Sequence, residues 1–350
     1  LILLALLTCA AGLSIIPLVR SIYALAFIRL IMGLGGGFCF AGCIRIAANW
    51  FEPKYMGRVS GVIVTMGMLG GAIAQGPLQY LVTLIGWRDS LWVLAILGVL
   101  ISLLIMVVVQ NSSEAQRSAV KNRTALLHEM GILASLRLVL SNSQNWFAAL
   151  FTGLLNMPIF MLGGFLGIAL LTRIYGFSHA SAAWIIGMLF FGSMFGSTAA
   201  GLISDMMGRR RRPMILGGIL SLIVIFIIIL VPMRLEWFLM VLFFLLGFMT
   251  SFQIVSYAFV AESNSPMITS TSVGIISIMA VGGGAIIQPL SGWLISLGGK
   301  TMKHGEAVYT VHSYQSTLWL IPICFFMATA LASLIKETYC QRRTSQGQHH

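Results

Sequence analysis

The stretch GVIVTMGMLGGAIAQGPLQYL, residues 61–81, returns later in the chain as GIISIMAVGGGAIIQPLSGWL, residues 274–294. The two align without a gap. Nine of 21 positions are identical: Gly61/Gly274, Ile63/Ile276, Met66/Met279, Gly70/Gly283, Gly71/Gly284, Ala72/Ala285, Ile73/Ile286, Gln75/Gln288 and Leu81/Leu294. Glycine-rich helices share composition, which accounts for part of the match. Composition does not account for the constant offset of 213 residues, which also pairs Pro53 with Pro266 in the short turn before each copy. A repeat at this distance divides the chain into two related halves.

The surroundings of both copies are apolar. Hydrophobic residues make up 58% of the chain and charged residues 9%, with a mean hydropathy of +0.96. A soluble domain carries about 25% charged residues. Runs such as LWVLAILGVLISLLIMVVVQ (91–110) and MILGGILSLIVIFIIILVPM (214–233) are continuous, as in helices that span a bilayer. Barrel strands would instead alternate apolar and polar residues over about 10 positions. Cut at charges and turn residues, the apolar segments predict ten helices at 1–19, 22–49, 57–86, 90–110, 145–172, 180–203, 213–232, 236–261, 270–297 and 317–335. The predicted fold class is all-α: a polytopic transmembrane helix bundle of two pseudo-symmetric halves.

Residues 111–143 break the pattern. They begin hydrophilic, then place Leu126, Leu127, Met130, Leu133, Leu136 and Val139 near helical spacing, as in an amphipathic helix at a membrane surface. The expected organisation is therefore a first half-bundle at 1–110, a linker at 111–143, a second bundle at 144–338 and a tail at 339–350. With the linker in the cytoplasm, 14 of the 21 Lys and Arg residues fall on the inner side, six fall outside, and Arg29 lies within a helix. The positive-inside bias supports this orientation, with the tail also cytoplasmic.

Shifted by 213, the helix at 213–232 falls on the first apolar run, and the cluster Arg209–Arg212 falls just before Leu1. That run has neither the basic leader nor the small-residue cleavage site of a signal peptide. The chain is expected to lack the counterparts of residues 145–212, about two helices, at its N-terminus. Four helices then stand in the first half where the second has six.

Two parallel six-helix repeats joined by a linker resemble the major facilitator superfamily. The loop GLISDMMGRR (201–210) is similar to that family's signature G-x-L-a-D-r-x-G-r-r: Gly201, Asp205, Gly208, Arg209 and Arg210 match, while Ile203 replaces Leu and Met206 a basic residue. RLIMGLGGG (29–37) resembles the fourth-helix motif with its intramembrane Arg, and GWRDSLWVLA (86–95) the turn between the fifth and sixth helices. The resemblance covers essentially the whole chain. It implies a secondary transporter that moves a small solute by alternating access, driven by an ion gradient, with the proton as the expected ion. The coupling carboxylate is often on the family's first helix. One departure concerns the fifth-helix motif of exporters: Gly76 and Pro77 are present, but Ala72, Tyr80 and Leu81 stand where glycine is expected. This weakens the reading as a drug or metabolite exporter. The style of the sequence is similar to bacterial members, implying a monomer in an inner membrane.

Asp205, Gly208, Arg209 and Arg210, with Gly201, form the candidate cytoplasmic gate. A carboxylate four residues before a guanidinium can pair with it and bridge to a neighbouring helix. Arg211 and Arg212 read as anchors of topology. Glu262 closes its helix on the same side and is a candidate partner for the Arg-rich loops. Arg29 is the only basic residue well inside a predicted span, an expensive placement that marks substrate or coupling residues, although snorkelling to the outer surface is the competing reading. Arg45 faces either the cavity or the inner interface. Asn156 (ahead of the helix-breaking Pro158), Gln253 and Tyr257 one turn apart, and the repeat pair Gln75 and Gln288 are candidates for lining a solute site; hydrogen bonds between helices are the competing account for each. Gly33, Gly70, Gly71, Gly283 and Gly284 are candidates for close helix packing.

Other classes find little support. The net charge of +12 fits topology anchoring better than nucleic acid, since no basic stripe is interleaved with aromatics. Cys9, Cys39, Cys43, Cys324 and Cys340 are scattered and read as packing residues. No Gly-Lys-Ser phosphate loop occurs, none of the six histidines lies inside a span, and no carboxylate sits near a midplane. Neither an enzyme nor a cofactor is expected. A channel would need a continuous polar stripe. A non-transporting remnant stays open for a first half of four helices.

Overall fold

The computed structural model describes residues 2–50, 56–108, 132–231, 235–265, 268–298, 300–303 and 306–341. The chain forms two compact units, one of residues 1–67 and 77–126, the other of 68–76 and 127–350.

The first unit contains α1 (Ile2–Ile15), closed by a 3-10 turn at Ile16–Leu18 that carries Pro17, then α2 (Ile22–Trp50) and most of α3 (Met56–Val108). The apolar run Val62–Val108 is 47 residues long. At 1.5 Å per residue it would measure about 70 Å, more than twice the hydrocarbon thickness of about 30 Å. Gly86 resolves this: its φ of 83° and ψ of 162° leave helical geometry altogether, in a region that only glycine enters freely. The run therefore holds two passages, as the sequence predicts at 57–86 and 90–110. Among the described residues eight helices are long and apolar enough to cross a membrane, and the shorter Ile2–Leu18 adds to them. Counting the break at Gly86, the ten predicted segments each have a helical counterpart. Within this unit a Cβ added to Gly35 would stand 3.0 Å from the Ala5 carbonyl oxygen, so α1 and α2 pack closely there.

The second unit includes α4 (Ile132–Ser141), in the segment where an amphipathic helix is expected; Leu126, Leu127 and Met130, named for that helix, lie outside the described residues. The next passage, Ser143–Tyr175, is not a uniform helix. It runs as α5 (Ser143–Leu155), a π-helical stretch (Ile159–Leu166), α6 (Gly167–Leu170) and a second π stretch (Leu171–Tyr175) ended by left-handed Gly176. Pro158, which has no N–H to donate, stands at the transition from α to π geometry. Then follow α7 (His179–Met206), α8 (Arg211–Leu230), α9 (Glu236–Thr250), a 3-10 turn at Ser251–Ile254, α10 (Val255–Ser263) and α11 (Thr269–Leu297). The chain ends in α12 (Val311–Leu318) and α13 (Leu320–Leu334). Between α11 and α12, where no element is predicted, Lys300–Lys303 pairs antiparallel with Glu306–Tyr309, with Lys300 opposite Tyr309.

Phe151, Phe243, Phe259 and Phe325 are fully buried at the centre of this unit. Large apolar side chains such as Trp237, Ile278 and Phe326 are exposed, as expected where the solvent is lipid. Glycines set the helix spacing. A Cβ on Gly192 or Gly196 would collide with the Phe244 or Phe248 carbonyl of α9, and one on Gly247 would collide with the Leu189 carbonyl of α7. Ser193 donates to the Gly247 carbonyl at 3.3 Å and Ser251 to the Ser193 carbonyl at 3.0 Å, so the same seam also carries hydrogen bonds.

Candidate functional site

Two polar clusters stand out in the second unit. The first forms where α7 ends and α8 begins. Gly208 takes a left-handed φ of 59°, which stops α7 and turns the chain. Arg210 is thereby folded back into the protein, its side chain only 9% exposed. Its Nη1 donates to Asp205 Oδ1 at 2.6 Å and to Ser204 Oγ at 2.9 Å. Nε and Nη2 both donate to Glu262 Oε1, at 3.0 and 2.7 Å. Thr338 Oγ1 donates to the other oxygen, Glu262 Oε2, at 2.6 Å. Glu337 accepts from the backbone N–H groups of Arg210 and Arg211 at 2.6 and 3.1 Å, placing a carboxylate at the positive end of α8. The guanidinium thus joins the ends of α7 and α10, and the backbone N–H groups of Arg210 and Arg211, with Thr338 on Glu262, tie in the segment after α13. Burial alone disfavours its charge, but the hydrogen bonds to Glu262 and Asp205 outweigh this and hold its pKa above the ordinary arginine value. It is cationic at every physiological pH.

The partner of Asp205 is Arg210, five residues on, rather than Arg209 at the helical spacing of four. That spacing presumes a helix continuing past Met206, and Gly208 ends it. The Arg209 guanidinium lies instead 5.7 Å from the Tyr339 ring centroid. Glu262 meets the Arg-rich loop as the sequence suggests. Glu337 and Thr338 were not anticipated, although an acidic residue next to Lys336 at a basic end was a usable signal. Among the described residues nothing lies within 4 Å of where a Cβ on Gly201 would stand.

The second cluster lies inside the spans. Asn156 is buried, and its Nδ2 donates to the Ala280 carbonyl of α11 at 3.0 Å. Gln253 Nε2 donates to Asn156 Oδ1 at 3.3 Å. Tyr257 stands on α10, one turn after Gln253. The repeat-related glutamines converge on one π-helical stretch: Gln288 Nε2 donates to the Phe160 carbonyl at 3.2 Å and Gln75 Nε2 to the Gly163 carbonyl at 2.6 Å. Gln75 belongs to the short part of α3, residues 68–76, that is counted with the second unit. Interhelical hydrogen bonds in membranes average about 0.6 kcal/mol. Gln75→Leu and Gln288→Leu are each expected to lower stability by about that amount, and because they use different carbonyls their effects should add. Thermal unfolding of both single variants and the double variant checks this.

The buried amides Asn145 and Asn264 exchange hydrogen bonds of 2.7 and 3.2 Å, a link across the unit that the sequence did not single out. Arg29 is exposed on α2 and forms no ion pair among the described residues. Arg45 lies on the same helix, but its side chain is outside the described residues. A Cβ added to Gly71 would meet the Phe190 ring, one on Gly284 the Phe160 ring and one on Gly283 the Gly153 carbonyl oxygen at 3.0 Å, whereas among the described residues nothing lies within 4 Å of a Cβ position on Gly33 or Gly70. Among the described residues no group of three His, Cys, Asp or Glu side chains is placed to hold a metal.

No curated protein sequence matches the chain significantly. Solved structures do match in fold. A bacterial homologue of the human lysosomal transporter Spinster, inward-facing and unoccupied, aligns over 99% of this chain and 84% of its own, with a TM-score of 0.66 and 16% identity. The inward-facing, occupied form of that homologue aligns over 95% and 81%, with a TM-score of 0.63. A point mutant of the nucleoside transporter NupG aligns over 96% and 83%, with a TM-score of 0.67 and 14% identity. The family model of the Major Facilitator Superfamily matches twice, over residues 1–169 and 148–347. With ten apolar passages, a repeat at 213 residues and a match over nearly its whole length, the chain belongs to the Major Facilitator Superfamily, a family of multi-pass membrane transporters.

Proposed function

We propose that the protein carries a small solute by alternating access, with a proton gradient as the driving force and the Arg210 cluster on the cytoplasmic side. The observation that supports this best is the partner set of Arg210. Asp205, Glu262, Ser204 and Glu337 all belong to the second unit. Among the described residues this set ties the ends of α7 and α10 to the segment after α13, so it can hold those ends together while the bundle moves as a body.

The described carboxylates of the second unit stand near span ends or in connecting segments, as Asp205, Glu236, Glu262 and Glu337 illustrate. Any proton binding by described residues of this unit would fall there. Uptake by purified protein in proteoliposomes tests the coupling. A panel of sugars, nucleosides, amino acids and carboxylates is offered with an imposed pH gradient, without one, and with a protonophore. At least one solute is expected to accumulate only with the gradient. Equal uptake in all three conditions would contradict proton coupling.

A further inference from the structure

The amides of the second cluster have a direction. Asn156 Nδ2 donates to a backbone carbonyl, Ala280 O, which can only accept. That fixes Asn156 with Oδ1 turned toward Gln253, so Gln253 must present its Nε2 there, as it does. The assignment of nitrogen and oxygen on both side chains follows from the anchoring carbonyl. A relay of two amides that starts on an acceptor must end on one. Its end is Gln253 Oε1, which is buried and has no partner among the described residues. A buried acceptor left without a donor is unfavourable, more so where no water surrounds the helix.

The surroundings limit what can supply that donor. Asn156 is in the passage Ser143–Tyr175 and Gln253 in the passage Glu236–Ser263. In the described spans of the second unit, Arg173, Asp205, Arg211, Arg212, Glu236 and Glu262 all stand within a few residues of an end. A charged group brought to Gln253 would lose hydration and meet no opposite charge from this unit. A hydroxyl or amide N–H meets what it needs.

We infer that Gln253 Oε1 is the point at which the second unit receives the transported solute, and that it selects a solute presenting a neutral hydrogen-bond donor, a hydroxyl or N–H group. This rests on the transporter reading and gives it a substrate class. Asn156 is a positioning residue that sets which end of the Gln253 amide faces the solute.

The test uses detergent-purified full-length chain and three probes, uridine, myo-inositol and glucose, each beside its fully methylated counterpart, which keeps the acceptors and loses the donors. Binding is read as a concentration-dependent rise in melting temperature. At least one parent probe is expected to bind, with its methylated form weaker by about tenfold or more, the equivalent of one hydrogen bond to a site that cannot otherwise be satisfied. Gln253→Met should remove that preference. Because this variant strands Asn156 Oδ1, the double variant Asn156→Leu/Gln253→Met is measured alongside it and should behave alike. Parent and methylated probes binding equally to the unmodified protein would overturn the assignment, as would variants that keep the preference. So would an absence of binding by all three parents, the result expected if a water alone fills the acceptor. Transport is scored separately in liposomes. Flux that ignores Gln253 would sink the site and keep the carrier; donor-dependent binding without flux would sink the carrier and keep the site.

Discussion

Replacing Arg210 by Met should lower the stability of the protein by about 3 kcal/mol, the lower end of what breaking a buried ion pair costs. Glu262, 14% exposed, would keep Thr338 as a donor but lose the guanidinium that balances it. The end of α7 would lose its tie to α10. A fall in melting temperature on the order of 6 °C is expected for the detergent-solubilised protein. Arg210→Lys should recover little, because an ammonium cannot reach Asp205, Ser204 and Glu262 with separate donors in one plane. Asp205→Asn gives the contrast. Asp205 is 67% exposed, and its pair with Arg210 is worth about 1 kcal/mol or less in water-screened surroundings. Equal losses from Arg210→Met and Asp205→Asn would show that the buried half of the cluster is not what holds it.

A still larger loss is expected at the seam of α7 and α9. Gly192 and Gly247 face carbonyls of the opposite helix, Phe244 O and Leu189 O, and backbone cannot swing aside as a side chain can. Gly247→Val must push the helices apart, with loss of packing on both sides and of the Ser193 and Ser251 hydrogen bonds that cross there. The cost is expected at or above about 3 kcal/mol, seen as failure to recover monodisperse protein. Gly70→Ala is the control. Among the described residues nothing lies within 4 Å of its Cβ position, and alanine is favoured over glycine in a helix by about 1 kcal/mol. Unchanged or raised melting temperature is expected for Gly70→Ala.

These two seams mark where the sequence was legible and where it was not. Hydropathy alone placed the ten passages, because twenty apolar residues in a row have few other uses. Gly86 was legible as a boundary, since it falls between two apolar runs and precedes a charged turn. The seam glycines were legible in principle: GSMFG, residues 192–196, carries the four-residue spacing of close helix contacts, yet longer glycine runs such as 33–37 drew more weight. Run length measures composition, whereas contact depends on which face meets a neighbour. Arg210 rather than Arg209 depended on the left-handed turn at Gly208, where a rule for continuous helices no longer applies. Glu337 reaches the site from more than a hundred residues away, so the sequence shows an acidic residue beside Lys336 but not its meeting with Arg210. The π-helical stretch at Ile159–Leu166 was heralded only by Pro158, and its use as a common acceptor for Gln75 and Gln288 follows from tertiary placement. The repeat had already named both glutamines, which is how they came to be candidates.

The central claim, that this chain is a carrier working by alternating access, is tested most directly by solute counterflow. Proteoliposomes are loaded with a high concentration of whichever of uridine, myo-inositol or glucose stabilises the protein, then diluted into a trace of the same labelled solute. A carrier returns each emptied site inward with label, so labelled solute should rise transiently above its equilibrium level and then decline. A monotonic approach to equilibrium without overshoot, the behaviour of a channel or a leak, would contradict the account.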